Sequence, residues 1–213
     1  MAAAPDLVLV PTVFELNGLR PHLAADADFR FEVCGFGPVN AAAEVAWQLS
    51  RFPTRRVFLL GIAGSYRGAA EIGQAMQFRR VSLSGIGAGT GAAHIPSRDL
   101  GFMSGEPGHD WESGGIPLHF AAGLPCEPLL LTVCAAAADP MDVEYRREQF
   151  PNAAAEDMEG FGAALACTKF DVPLYVIRGI SNAAGDRDQQ HWQVQSAIRA
   201  AAELFQAVRE QKV

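Results

Sequence analysis

Two glutamates and an asparagine, far apart in this chain, each follow a short apolar run. Glu15 comes just after "LVLV" (Leu7 to Val10), in "VPTVFELNGL". Glu159 stands with Met158 in "DMEGF", at a strand-to-helix junction, and Asn182 with Ser181 in "ISN", past the apolar run "VPLYVI". In open α/β sheets the carboxyl ends of strands are where ligands bind. A carboxylate only accepts hydrogen bonds, whereas an amide both donates and accepts. Together they form a set that can hold a polar ligand and handle its protons. The turn "GIAGS" lies near them in the expected topology, and its backbone at Ile62, Ala63 and Gly64 can approach a ligand closely. Each residue also has an ordinary account. Glu15 and Glu159 suit a first helical turn, favoured by the helix dipole. Asn182 suits a turn that ends a strand.

The elements that must position these residues alternate along the chain. "LVLV", "FRFEVCGFG" (29–37), "RRVFLL" (55–60), "AMQFRRVSLSGI" (75–86), "LLLTVC" (129–134) and "VPLYVIRGIS" (172–181) read as strands. "NAAAEVAWQLSRF" (40–52), "DVEYRREQF" (142–150), "EGFGAALACTKF" (159–170) and the tail from Asp188 to Gln211 read as helices. Asn40 is placed to cap the first of these helices and Asp188 the last. The pattern predicts a single α/β domain over residues 1–213, with a mixed sheet and helices on both faces. Residues 85–123 are irregular and rich in Gly, Ser, Pro and His. They read as a lid, an oligomer contact or a plain surface loop.

Composition narrows the function. The chain has 213 residues, 49% of them apolar, and a formal net charge of -7, which disfavours a nucleic-acid or membrane surface. Cys34, Cys126, Cys134 and Cys167 form no CxxC pair and are expected as buried, reduced thiols. The five histidines show no metal-ligand spacing, so no metal is expected. The start lacks a basic n-region and a long apolar run, and a soluble, cytoplasmic protein is expected. "GFGPVN" (35–40) echoes a dinucleotide fingerprint, but Asn40 stands where the third glycine belongs and no acidic partner follows a second strand. No Walker A, GxSxG or HExxH sequence occurs.

"AAAEDMEGFGAALACTKFDVPLYVIRGISN" resembles the signature of the purine nucleoside phosphorylase and nucleosidase superfamily. There a Met-Glu pair precedes a helix and an Arg-x-Ile-Ser-Asp/Asn segment ends the next strand. "GIAGS" and "GFGPVNAA" are similar to that superfamily's glycine turns, and "ISNAAGDRDQQHW" is most similar to its futalosine hydrolases. The resemblance covers most of the chain and is weakest over 85–123. It implies a partly barrel-like mixed sheet, no cofactor, a small-molecule nucleoside substrate and a homo-oligomer.

The resemblance also implies roles. Glu159 would clamp the 2′ and 3′ ribose hydroxyls, with Met158 against the sugar and Ile62, Ala63 and Gly64 bordering the pocket. Glu15 would act as general base on the attacking water, with a pKa raised by partial burial. Phosphorylases need cations for phosphate. "PTVFELNG" offers none before Arg20, which favours hydrolysis. Where relatives acting on adenine carry Asp, this chain has Asn182, whose amide offers a donor to O6 and an acceptor to a protonated N7 of a 6-oxopurine. Arg67, Arg98 and Arg187 are candidates for a substrate carboxylate. A 6-oxopurine phosphorylase, a methylthioadenosine-type nucleosidase and an inactive purine-binding module remain alternatives.

Overall fold

The computed structural model describes residues 4–23, 29–66, 69–102 and 114–211. Its strands are β1 (Asp6–Val10), β2 (Phe29–Val33), β3 (Val57–Ser65), β4 (Ala75–Leu83), β5 (Gly87–Ala88), β6 (Ile95–Pro96), β7 (Ile116–Pro117), β8 (Cys126–Thr132), β9 (Ala153–Asp157) and β10 (Leu174–Ala183). Its helices are α1 (Val13–Leu19), α2 (Pro38–Arg51), α3 (Pro140–Gln149), α4 (Gly160–Lys169) and α5 (Val194–Glu210).

Five strands close on themselves. β10 pairs parallel with β3 and antiparallel with β4; β4 and β8 are parallel, as are β8 and β9; β9 returns antiparallel to β3. β1 and β2 extend the sheet in parallel from β3. This is the partly barrel-like mixed sheet expected from the sequence, in one α/β domain. Every residue of β1 and β9 is buried, and β10 is buried from Leu174 to Asn182, as strands covered on both faces must be.

Helices cover the sheet on two sides. α2 and α4 pack with Leu7, Leu59 and Phe161 in one core; α1 and α5 pack with Phe58, Tyr175 and Phe205 in another. α5 buries a stripe that includes Ala197, Ala201, Leu204, Phe205 and Val208. Each fully buried Leu or Phe contributes about 1.5–3 kcal/mol, more than helix propensity supplies, so packing fixes α5. The close approach needs a glycine: a Cβ at Gly179 of β10 would collide with the carbonyl oxygen of Ala197.

Several boundaries differ from the sequence reading. α2 begins at Pro38, not Asn40, because proline is preorganised for a first helical turn; Gly37, at φ 90°, takes the N-cap position, and the Asn40 amide donates to Phe36 O at 2.8 Å. Asp188 caps a 3-10 turn (Gln189–His191) instead of α5, which starts six residues later. Cys34 and Cys167 are buried, but Cys126 is half-buried and Cys134 exposed, since β8 ends before Cys134. The expected excursion is only partly irregular. β7 joins the barrel through β4, and Ile116, Leu118 and Ala121 are buried, which ties down residues 114–121. Residues 103–113 lie outside the described part. No helix among the described residues is long and apolar enough to cross a membrane.

Candidate active site

The sequence "TVFE" is a capping-box pattern, and the structure uses half of it. Thr12 caps α1 by accepting from the Glu15 backbone N–H at 3.2 Å. The Glu15 carboxylate does not turn back to the Thr12 backbone. Oε2 accepts from Thr12 Oγ1 at 2.6 Å, and Oε1 accepts from the Ile62 backbone N–H, across in β3, at 3.1 Å. Glu15 is only 5% exposed, which removes the solvated-helix account.

Arg178 lies in the middle of β10 and is fully buried. Its Nε and Nη2 donate to Asp157 Oδ2 at 3.1 and 2.5 Å, and Nη2 reaches Glu159 Oε2 at 3.2 Å. Asp157 is itself saturated by Thr132 Oγ1 at 2.6 Å and the Gly160 N–H at 2.9 Å. Arg178 Nη1 has no hydrogen-bond partner among the described residues. It crowds the hydrogen-only face of Gly61, as does Glu15 Oε1; a Cβ there would collide with Nη1 and sit 2.8 Å from Oε1. Glycine at 61 therefore makes room for a carboxylate and a guanidinium beside one another.

Glu159 occupies the N-cap position of α4 but does not cap it with its side chain. Instead Oε1 accepts from the Gly37 N–H at 3.0 Å, a contact the positive-φ turn before α2 makes possible. Burial pushes the Glu159 carboxyl up to about 7; Arg178 and the Gly37 N–H pull the other way, and Asp157 and Glu15 add to the rise.

Asn182 follows a β-bulge. The β10–β3 register runs Ile180 to Ala63 and then Asn182 to Gly64, leaving Ser181 as the extra residue. The bulge is part of the site: Ser181 Oγ donates to Asn182 Oδ1 at 2.7 Å, while Asn182 Nδ2 donates to Ala183 O at 2.8 Å. Both ends of the amide are thereby oriented, and each retains one unused site, an N–H and a lone pair.

A cleft of about 400 Å³ joins these groups, a size suited to a small ligand. Glu15, Ile62, Ala63, Gly64, Met158, Glu159, Ser181 and Asn182, the eight residues singled out from sequence, all line it. Of the three arginine candidates, Arg187 lines the cleft; Arg98 lines a separate pocket with His94 and Tyr145 and approaches Asp99 at 3.6 Å; Arg67 lies outside the described residues. Among the described residues no cluster of three His, Cys, Asp or Glu is placed to hold a metal ion.

Sequence reasoning missed several groups. Arg178 and Asp157 stand inside the quoted signature, but a guanidinium within an apolar strand was not seen as needing a buried partner. Glu156 also lines the cleft, held by Tyr66 Oη at 2.9 Å, Arg146 Nη1 at 2.5 Å and the Ala137 N–H at 2.8 Å. Phe14, Phe36 and Trp192 add aromatic walls.

Comparison with known proteins agrees with this arrangement. The phosphorylase superfamily model matches residues 127–211. A futalosine hydrolase of Acidothermus cellulolyticus is 32% identical over 202 residues, covering 91% of this chain and 82% of the relative. One from Streptomyces coelicolor is 32% identical, covering 78% and 72%. A 5′-methylthioadenosine/S-adenosylhomocysteine nucleosidase of Psychromonas ingrahamii is 29% identical, covering 82% and 73%. Among solved structures, the 5′-methylthioadenosine/S-adenosylhomocysteine nucleosidase of Colwellia psychrerythraea in complex with adenine superposes with a TM-score of 0.76 at 19% identity, covering 96% of this chain and 93% of that one. These matches, with the closed five-stranded sheet and the cleft at its edge, place the chain in the phosphorylase superfamily, within the group of nucleosidases that includes the futalosine hydrolases.

Proposed function

We propose that this chain hydrolyses the N-glycosidic bond of a 6-oxopurine nucleoside, with futalosine as substrate and hypoxanthine as the released base. The carrying observation is Asn182, an amide and not a carboxyl group, held in the same cleft as Glu15 and Glu159.

Glu159 has two of its acceptor positions taken, by Gly37 and Arg178, and its remaining lone pairs are available to the 2′ and 3′ hydroxyls. Its negative charge favours the cationic ribosyl ring of the transition state. Glu15 is fixed by two hydrogen bonds and keeps acceptor capacity for a water proton. The unpartnered Arg178 Nη1 stands beside it as a donor to the same water's oxygen. The water oxygen bonds to the anomeric carbon, its proton passes to Glu15, and the C–N bond breaks with its electron pair leaving on the purine. Asn182 Nδ2 donates to O6, while Oδ1 accepts from N7 once N7 has taken a proton from solvent. An ionised carboxylate in that place would oppose O6, a mismatch worth about 1–3 kcal/mol.

Among the described residues lining the cleft, Arg187 is the one cation, and its guanidinium lies over the Trp192 ring. This supports water over phosphate as nucleophile. Chromatographic measurement of free base from futalosine, inosine and methylthioadenosine, with and without phosphate, tests the reading. Phosphate-independent release of hypoxanthine from futalosine is expected. Ribose 1-phosphate formation, or preferred cleavage of methylthioadenosine, overturns it.

The resemblance also leads us to propose a cytoplasmic homo-oligomer. Val13 and Val39, 60% and 79% exposed, adjoin the cleft residues Phe14 and Phe36, and a second copy would cover them. Analytical ultracentrifugation showing only monomer at micromolar concentration rejects this.

A further inference from the structure

Glu156 lines the cleft, yet the steps of hydrolysis leave it unused. It sits on β9 opposite Gly64 in the antiparallel pairing with β3, and Gly64 is opposite Asn182 in the pairing of β3 with β10. Residues paired across strands project on one face of a sheet. Asn182 and Glu156 therefore flank Gly64, with backbones about 10 Å apart at two strand spacings. Gly64 puts no side chain between them, and a Cβ there would lie 3.5 Å from Glu156 Cγ. All three residues line the cleft.

The Glu156 carboxylate is held as a fixed acceptor. Oε2 accepts from Tyr66 Oη at 2.9 Å and Arg146 Nη1 at 2.5 Å, and Oε1 accepts from the Ala137 N–H at 2.8 Å. Arg146 is itself anchored, donating from Nη2 to Ala135 O at 2.7 Å. Burial, with the Glu156 charge beside it, pushes the Tyr66 phenol up, so the hydroxyl stays a donor. Burial works against the Arg146 charge, but the Glu156 carboxylate outweighs it and raises the guanidinium pKa. Among the described residues these three donors leave one acceptor position on the carboxylate, at Oε1.

Asn182 brings a donor and an acceptor to the cleft, and Glu156 brings an acceptor alone. The complementary base edge carries a carbonyl oxygen and then an N–H, which is the O6 and N1–H edge of a 6-oxopurine. In a 6-aminopurine N1 is a bare lone pair and would meet the carboxylate acceptor to acceptor. We infer that Glu156 is a specificity-determining residue that accepts the N1–H of the base, with Arg146 as the positioning residue that keeps it a charged acceptor. This rests on the nucleosidase reading and adds a base contact on the opposite side of Gly64 from Asn182.

The probes are free hypoxanthine, adenine and 1-methylhypoxanthine, titrated calorimetrically, so the result does not depend on turnover. The native protein should bind hypoxanthine ~10–100-fold more tightly than adenine, or than 1-methylhypoxanthine, which lacks the N1–H. In Glu156→Gln, Tyr66 and Arg146 hold the amide oxygen in place of Oε2, and the amide nitrogen takes the Oε1 position as a donor. Hypoxanthine should then bind more weakly and adenine more tightly, bringing the ratio to one or below; a merely structural role would weaken both alike. Arg146→Ala should lower the ratio, and Arg146→Lys should restore part of it. Should Glu156→Gln fail to fold, the native protein still decides: equal affinity for hypoxanthine and 1-methylhypoxanthine overturns the inference. An unchanged hypoxanthine-to-adenine ratio in folded Glu156→Gln also overturns it, while hypoxanthine release from futalosine, assayed separately, keeps the nucleosidase reading intact. No base release by the native protein, or tighter binding of adenine than hypoxanthine, overturns that reading and the inference with it.

Discussion

Glu159 Oε2 lies 3.2 Å from Arg178 Nη2, yet the same guanidinium is held more tightly by Asp157, at 2.5 Å. One cation thus serves two carboxylates, both lining the cleft, and Glu159 is the less tightly held. Burial then dominates at Glu159 and pushes its carboxyl up to about 7. The arrangement leaves the residue that would meet the ribose near the midpoint of its titration at neutral pH, while Asp157 supplies the structural pairing.

Activity and stability should therefore respond oppositely to pH at this residue. If ionised Glu159 is the clamp, kcat/KM rises with pH through about 7. Its folded pKa lies above the 4.5 of the free side chain, so its stabilising contribution is full below that value and is lost as pH climbs through about 7. Glu159→Gln should lose at least ~100-fold in kcat. Its melting temperature should improve relative to the native protein between pH 5 and pH 8. A difference in melting temperature that stays constant over that interval would contradict the assignment.

Arg178 should be structurally costly to remove. Truncation to Ala leaves Asp157 and Glu159 buried without their cation, a loss of about 3–5 kcal/mol. Urea titration of Arg178→Ala measures it, and a change below ~1 kcal/mol contradicts the buried pairing. Arg178→Met with Asp157→Asn should recover part of that loss but not activity, separating the packing role from the catalytic one.

Asn182→Asp should move base preference toward 6-aminopurines. The Ser181 hydroxyl can still donate to the new carboxyl, but the Ala183 carbonyl needs a donor facing it, which favours the protonated acid. The ratio of inosine to adenosine cleavage, assayed side by side, should fall by ~10–100-fold. An unaltered ratio removes Asn182 from base recognition.

Gly61→Ala isolates the crowding around Glu15 and Arg178. The glycine has no positive φ, so the backbone tolerates alanine and the effect is steric. Overpacking should cost about 1–3 kcal/mol and shift the guanidinium or the carboxylate. Thermal unfolding with parallel kinetics checks this; native-like stability together with native-like turnover counts against tight packing there.

Much of the site was legible because strand ends are legible. Glu15, Glu159 and Asn182 each follow a strand; the parallel pairing of β1, β3 and β10 brings Glu15 and Asn182 to one edge, and the antiparallel meeting of β9 with the end of β3 brings Glu159 there. Other parts had no local signal. Closure of β10 onto both β3 and β4 is set by pairing between segments about a hundred residues apart, and no period in the sequence encodes it. The bulge at Ser181 depends on the register against β3. Arg178 did carry a signal: an arginine in "LYVIRGI" must find a buried anion, and "EDME", three acids in four residues, directly precedes the helix that leads into its strand. Thr12 was readable from the "TVFE" pattern, but the diversion of Glu15 toward Ile62 was not, because the competing donor comes from another strand.

The strand that carries Arg178, Ser181 and Asn182 has a hydrogen-bonded neighbour on either side over Ile177–Gly179. That stretch cannot fray from an open margin, so its amide protons should exchange with deuterium only when the molecule unfolds as a whole. Release of Arg178 from its partners and loss of the native state are then a single cooperative event.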